Sequence, residues 1–304
     1  MAARPQPLIA VVVLNTNRRE DTLACLASLA ALDYARHEVL LLDNASTDGS
    51  VAAVRAQFPS VRIHALTDNR GYAGNNNVGI EAAMALGAEW ILVLNEETVL
   101  APTCLSELMQ AAGHDSRIGV LGPMVYHHDE PDVIQSAGGI LDSHWTSRHA
   151  GQNEHDRGQF ATPRPVDWIS GCAIAVRRQA IEQVGALDER FFYYWEETEW
   201  CLRIARAGWS IVHVPAAKLW HKGVTRDYRP GPSVAYYNTR NRLFMMAKHR
   251  APLVAWFAAW FTLVRTLISY TVRPRWRDRR ASRNAIWWGA IDFVQGRLGQ
   301  MPRR

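Results

Sequence analysis

The chain has 304 residues, 48% hydrophobic and 21% charged, with a net charge of +5. This composition fits a folded protein with a sizeable core and excludes a disordered chain, and the small positive excess, gathered late, argues for an anionic surface met by the tail and against a nucleic-acid-binding protein. Cys25, Cys104, Cys172 and Cys201 are far apart with no CxxC pair, so they read as reduced core thiols of a cytosolic protein.

Residues 8–14 form an apolar run that is too short for a signal peptide and lacks a small-residue cleavage site. It reads as a first strand buried on both faces, followed by the polar loop Asn15-Thr16-Asn17. Residues 20–32 carry a helical repeat with Leu23, Leu26 and Leu29 on one side. A second buried strand, 38–42, ends in Asp43-Asn44-Ala45-Ser46-Thr47-Asp48-Gly49-Ser50. This β-α-β unit sets polar groups at both strand ends, where open α/β sheets bind ligands. Asp43, directly after its strand, is placed to accept from a nucleotide base or ribose, whereas Asp48 fits turn and capping chemistry.

Residues 61–66 alternate as a more exposed strand. Residues 68–79, rich in Gly and Asn, read as a loop leading into a helix over 80–86. They match neither GxGxxG nor GxxxxGK[ST]; a Gly-rich helix start suits a diphosphate, and a plain turn is the simpler reading. A fourth buried strand, 90–94, runs into Asn95-Glu96-Glu97-Thr98. Acids at the end of a central strand are costly unless exposed, paired or metal-bound, and carboxylates suit Mg²⁺ or Mn²⁺. The metal reading is preferred here to a pair of solvated glutamates.

A helix from 102 to about 112, a strand over 118–126 and part of a hairpin at 136–141 follow. The polar stretch 142–165 is expected to be a mobile loop over the site. His127, His128, His144, His149 and His155 in or near it show no i,i+4 pair and read as solvated. Residues 166–178 read as a strand with Gly171 inside it, which permits close approach of a ligand or another backbone. Then Glu196, Glu197 and Glu199 stand behind a run of aromatics ending in Trp195, at the start of a helical pattern. A carboxylate held among aromatics gains a raised pKa suited to proton abstraction, and residues two apart on a helix point differently. An acid-rich helix start favoured by the macrodipole is the simpler reading. The last strand, 211–214, makes His213 a core or edge histidine and leads to Trp220-His221, where His221 is either isolated or a metal or phosphate contact.

In the tail, Arg240 and Arg242 offer forks suited to phosphate or lipid-diphosphate groups. Residues 253–272 are long enough to span a bilayer. A polar stripe of Thr262, Arg265, Thr266 and Ser269, with basic residues at both ends, favours a helix lying in the cytoplasmic interface on anionic lipid. A core or dimer helix is the alternative. A further helix follows at 287–298.

Taken together, residues 14–17, 42–50, 69–79, 94–98, 168–171, 187–192, 195–199 and 220–221 resemble the inverting family 2 glycosyltransferases of the GT-A fold. The resemblance covers nearly the whole chain and is nearest to the bacterial rhamnosyltransferase-like branch that builds cell-surface polysaccharides. It implies a Rossmann-like α/β fold with a mixed, mainly parallel sheet flanked by helices. Residues 1–100 would be the nucleotide-sugar-binding half, 101–235 the acceptor-binding and catalytic half, and 236–304 a helical membrane-associating tail. It implies that Asp43 holds the base and that Asn95-Glu96-Glu97 stands where the family has DxD. Glu97 would bind a divalent metal, Mg²⁺ or Mn²⁺, with His221 completing its shell, and Glu197 would be the general base. Asn15, Asn17, Asn44, Arg70, Gly74, Asn77, Asn95 and Glu96 are expected around the nucleotide sugar. Trp168, Gly171, Trp195 and Glu196 are expected at the donor and acceptor pocket. The implied partners are a dTDP- or UDP-sugar, a glycan or lipid-linked glycan acceptor and the inner leaflet of the membrane through 253–272, with a homo-oligomer open and no nucleic acid. The implied location is cytoplasmic, peripheral to the inner face of the cell membrane. The family usually has Asp where Glu97, Glu197 and Glu199 stand. That departure keeps a catalytically silent sugar-nucleotide-binding subunit as the alternative, while a nicotinamide dehydrogenase is disfavoured by the missing GxGxxG.

Overall fold

In the computed structural model, which describes residues 6–303, the first strand β1 (Ile9–Asn15) sends alternate side chains to opposite cores. Ile9, Val11 and Val13 join one cluster; Ala10 and Val12 join the other. An unbroken apolar run needs both faces covered, and they are.

The chain continues through α1 (Arg19–Ala30), β2 (His37–Asp43), α2 (Ser50–Gln57), β3 (Arg62–Ala65), α3 (Gly71–Ala85), β4 (Trp90–Asn95), β5 (Thr98–Leu100), α4 (Cys104–His114) and β6 (Ile118–His127). Next come β7 (Ile134–Ser136), β8 (Gly139–Leu141), β9 (Ser147–His149), β10 (Arg164–Pro165), β11 (Ala173–Arg177), α5 (Arg178–Val184), α6 (Glu196–Arg206) and β12 (Ser210–His221). The tail is α7 (Pro232–Lys248), α8 (Leu253–Val272) and α9 (Arg280–Val294).

The main sheet runs β10-β12-β6-β11-β4-β1-β2-β3, with β5 on β12 and β7 on β6. Strands β3, β2, β1 and β4 are parallel, β11 is antiparallel between β4 and β6, and β12 is parallel to β6. Helices α1 and α4 pack on one face; α3, α5 and α6 pack on the other. This is the mixed, mainly parallel α/β sheet expected. Because β1, β2, β4, β6 and β12 share a direction, Asn15, Asp43, Asn95, His127 and His221 all end at one edge.

Several local expectations are corrected. The Gly/Asn stretch is not a loop but the first turns of α3. Asn69 Oδ1 accepts the Gly71 amide and Asn75 Oδ1 accepts the Arg70 amide, so these side chains cap the helix. At Gly71, φ is +75° and a Cβ would sit 2.3 Å from the Phe192 carbonyl oxygen, so this position requires glycine. Of residues 166–178 only 173–177 are strand, because the chain turns at Ser170, whose carbonyl accepts from the Ala173 amide. The stretch 142–165 carries β9 and β10 and packs Ala150 and Phe160 against Tyr126, so it is built structure. His127 is buried and His149 packs edge-on to Trp168; neither is solvated. Strand β12 is longer than read, because a bulge between Val214 and Lys218 carries it past Pro215 to His221. All four cysteines are buried and free, as expected of core thiols.

Both arginines of α7 are tied to backbone carbonyls of other segments, and the fully buried Arg240 is not free for phosphate. Arg240, fully buried, gives Nη2 to the Phe191 carbonyl at 3.0 Å and Nη1 to that of Gly299 at 2.6 Å. Arg242 donates to the carbonyls of Trp145 and His144. Beside Arg240, Asn241 Nδ2 donates to the carbonyls of Phe191, Tyr193 and Tyr194 at 2.9, 2.8 and 2.8 Å. The backbone it grips has positive φ at Phe192 (65°), Tyr194 (69°) and Trp195 (76°), a region that costs ~1–3 kcal/mol per residue. Asn241→Leu is therefore expected to lower the unfolding free energy in urea titration by roughly 2–4 kcal/mol, because buried carbonyls lose their donor. A loss below about 0.5 kcal/mol would show that these carbonyls find other partners.

Candidate active site

The loops after β1 and β2 are laced together. Asn15, fully buried, donates through Nδ2 to Asp43, Ser46 and Ser50 at 2.9, 3.0 and 2.8 Å. Its Oδ1 accepts from the Arg18 amide and the Thr22 hydroxyl. Asn17 Oδ1 accepts the Thr47 amide at 2.7 Å, and Asn44 donates to Thr16 at 3.3 Å. Asp43 also accepts the Ser46 amide at 3.2 Å and stays 5% exposed at the sheet edge. Asp48 accepts the Arg19 and Ser50 amides, the turn role expected of it. Asn15 thus acts within the chain, while Asp43 keeps an edge toward solvent.

Beside this lacing, Asn95 ends β4 and the turn Glu96-Glu97 leads into β5. Glu97 Oε1 accepts from His221 Nε2 at 3.1 Å, and Glu97 Oε2 faces Arg18 Nη1 at 3.1 Å. His221 is fixed from behind by Gln135, whose amide lies 3.0–3.1 Å from Nδ1. Lys222 pairs with Asp21 at 3.0 Å, completing a ring of charge. Burial pushes the Glu97 carboxyl up, but the His221 hydrogen bond and the charges of His221 and Arg18 outweigh it and hold it below the ordinary range. At Glu96 burial, with the neighbouring Glu97 charge, outweighs backbone amides and the Arg18 charge and pushes the carboxyl up to about 7. Gly223 permits this crowding, since a Cβ there would lie 1.8 Å from Glu97 Oε1.

The other carboxylates begin α6. Glu196 is buried, with its Oε2 unpaired among the described residues, and burial plus the Glu197 charge raises it well above the usual range. Glu197 is half-buried, and burial pushes it up to about 7. Glu199 points elsewhere: fully buried, it meets Arg203, Lys248 and His249 at 3.0, 2.7 and 3.0 Å and is held low. The charges of Glu97 and Glu197 both bear on the buried Cys172 thiol, so each lies within electrostatic reach of it.

The remaining predicted residues divide. Gly171, at the turn before β11, accepts from the Tyr72 hydroxyl. Trp195 caps α6 in the left-handed conformation. Arg70 forms a double contact with Glu189 at 2.6 and 2.7 Å, across the turn from Gly74. Asn77 clamps both the amide and the carbonyl of Leu187. These α3 residues therefore anchor the segment that leads into the aromatic run. Trp168, 3% exposed, lies in the core beneath the site. Sequence reasoning missed Arg18, Gln135 and Asn241; only the short spacing from Asn15 signalled Arg18, and nothing local signalled the other two.

Residues 5–245 match the sequence model of the family described as glycosyltransferase like family 2. The chain is 32% identical over 251 residues to the N-acetylglucosaminyl-diphospho-decaprenol L-rhamnosyltransferase of Mycobacterium tuberculosis, covering 75% of this chain and 82% of that protein. It is 23% identical over 224 residues to the dTDP-rhamnosyl transferase RfbF of Shigella flexneri, covering 71% and 73%. Among solved structures it is similar to the mannosyltransferase PcManGT from Pyrobaculum calidifontis in complex with GDP-Man and Mn²⁺, with TM-score 0.61 at 16% identity over 96% of this chain and 88% of that one. It also matches GalNAc-T7 with UDP, GalNAc and Mn²⁺, with TM-score 0.64 at 13% identity over 96% and 58%. These likenesses establish a GT-A-like fold. With the family match running across most of a sheet whose carboxylates gather at one edge, the chain belongs to glycosyltransferase family 2 and is a glycosyltransferase.

Proposed function

We propose that the protein is an inverting transferase that moves a sugar, rhamnose in the first instance, from a dTDP- or UDP-sugar to a hydroxyl of a lipid-linked glycan. The carrying observation is Glu197, a half-buried carboxylate at the start of α6 whose pKa burial raises to about 7. The donor and acceptor classes are supported by the names of the two rhamnosyltransferase relatives.

Glu197 takes the proton of the acceptor hydroxyl as that oxygen bonds to the anomeric carbon. The bond from that carbon to the diphosphate breaks on the opposite face, and its electron pair leaves with the nucleoside diphosphate. Asp43 at the β2 end receives the base. Glu97 and His221 fit a divalent cation: the donor atoms are 3.1 Å apart, close to the separation of adjacent corners of an octahedron with ~2.1 Å bonds. Gln135 supports this, because its amide oxygen accepts Nδ1–H whenever Nε2 is given to a cation. Two protein ligands leave the other positions to diphosphate and water, and the ion would neutralise charge on the leaving group.

The tail is proposed to lie on the inner face of the membrane. Helix α8 is long and apolar enough to cross a bilayer, with mean hydropathy 1.4, and Leu253, Phe257, Phe261, Val264 and Ile268 are exposed along one side. Arg273, Arg275, Arg277, Arg280 and Arg283 follow it and suit anionic headgroups.

Below pH about 7 Glu197 is protonated and cannot accept, so kcat/KM is expected to fall about tenfold per pH unit on the acid side and level off above. Glu197→Gln should lower kcat by about 1000-fold, and a loss within tenfold would sink the base assignment. Calorimetry of UDP and dTDP with and without Mn²⁺ tests the metal: one nucleotide should bind more tightly with Mn²⁺, and Glu97→Ala should abolish the difference. Equal affinity with and without Mn²⁺ in the native protein overturns that assignment. In vesicle sedimentation the protein should pellet with phosphatidylglycerol vesicles and the triple variant Phe257→Ser/Phe261→Ser/Ile268→Ser should not; equal pelleting of both would refute the membrane face.

A further inference from the structure

The tail encloses a cavity that the transfer chemistry above does not use. It has a volume of about 240 Å³ and lies between α7, α8, α9 and the start of β9. Leu243, Ala259, Leu263 and Ile286 give it an apolar floor. Thr146, Thr239, Thr262 and Thr266 also line it, with the Thr239 and Thr266 hydroxyls donating to the Ala235 and Thr262 carbonyls. At the inner end is Trp195, whose indole N–H donates to Asn238 at 3.0 Å, two residues before Glu197.

The charge in this cavity has one sign. Among the described residues no Asp or Glu lines it, and the charged lining side chain is Arg242. That guanidinium is rigid: Nε donates to the Trp145 carbonyl at 3.0 Å, and Nη2 donates to the His144 carbonyl at 2.9 Å and the Thr146 hydroxyl at 3.1 Å. All these hydrogen-bond partners are neutral oxygens, and the negative charge that bears on the guanidinium is that of Asp142. The nearby Asp142 carboxylate is turned to the His144 and Thr146 amides. A fixed guanidinium over an apolar floor, with hydroxyls between, matches an anionic amphiphile. The outer wall is α8, which carries its unpartnered apolar side on the opposite face at Phe257, Phe261 and Ile268.

We propose that this groove binds an isoprenoid diphosphate. The diphosphate meets Arg242 and the hydroxyls of Thr146 and Thr262, the first isoprene units lie on the Leu243–Ala259–Leu263–Ile286 floor, and the sugar carried by the diphosphate extends past Trp195 toward Glu197. The volume is below that of a site for a whole drug-sized molecule, so it takes the head and first units and leaves the remaining chain to the bilayer. The inference rests on the lipid-linked acceptor proposed above and gives it a location.

The test is calorimetric binding of farnesyl diphosphate to the full chain, which needs no turnover and no donor. Farnesyl diphosphate should bind, while inorganic diphosphate and farnesol bind at least about tenfold more weakly, because each lacks one half of the recognised group. Arg242→Gln should weaken farnesyl diphosphate about tenfold, the order expected for losing one charged contact. Thr262→Trp, at an exposed helix position on the rim, should block it by filling the groove; circular dichroism and thermal melting check that both variants are folded. Unaltered binding by Thr262→Trp overturns the groove, as does no binding of farnesyl diphosphate to the native protein. Displacement by UDP would assign the ligand to the donor site, and equal affinity for phosphatidylglycerol would assign it to headgroup chemistry; either result overturns the proposal. Sugar transfer to a water-soluble glycoside is measured in parallel. Its presence without farnesyl diphosphate binding refutes the groove alone, and its absence beside that binding refutes the transferase reading alone.

Discussion

The geometry of the site depends on one amide. Asn241 spends its side-chain N–H groups on the carbonyls of Phe191, Tyr193 and Tyr194, and Arg240 adds a second donor at Phe191. Those carbonyls belong to a segment with three aromatic residues at positive φ, a conformation that L residues with bulky side chains avoid. The segment ends at Trp195, and α6 begins with Glu196 and Glu197. A turn that the aromatics would not hold by themselves is therefore held by a helix of the tail. The same helix meets α6 again through Lys248, while His249 at its end joins Glu199. The tail is thus part of the catalytic half's support as well as a candidate surface for lipid.

Two acids in the site are driven in opposite directions by their surroundings. Glu97 is buried but faces His221 and Arg18, and the positive neighbours win over desolvation. Glu197 has backbone amides at the start of α6 but no cationic side chain, and desolvation wins. The division follows a general rule: pairs of titratable groups pushed apart by their environments mark different chemical duties. An acid held charged suits a cation, and an acid that titrates near neutrality suits proton transfer. Glu199 belongs to neither duty. Its three basic partners make it an internal ion network, and removing it would take the carboxylate from Arg203 and the buried His249 while Lys248 keeps Asp188.

What was legible in the sequence follows from how local each signal is. The double-faced strands β1, β2 and β4 are continuous apolar runs, so their ends, and the polar residues set there, could be read directly. Glu96, Glu97 and Glu197 stood out because acids beside apolar strands and aromatics are costly without a purpose. The Gly/Asn stretch misled because glycine and asparagine signal turns, while here asparagine side chains cap a helix from within. Arg240 was read as a phosphate fork because no local pattern shows that Phe191 and Gly299 supply carbonyls from 49 and 59 residues away. Gln135 was invisible for the same reason, since it reaches His221 across 86 residues.

The substitution of Glu for Asp acquires a physical account at position 97. A carboxylate one methylene longer needs more room at the strand end, and the neighbour that would take it has no side chain: a Cβ at Gly223 would stand 1.8 Å from Glu97 Oε1. With that room the carboxylate reaches His221 with one oxygen and Arg18 with the other. A shorter acid at the same backbone position would draw back from at least one of them. Length at 97 and the absence of a side chain at 223 therefore form one unit. The longer acid keeps its charge and its histidine partner.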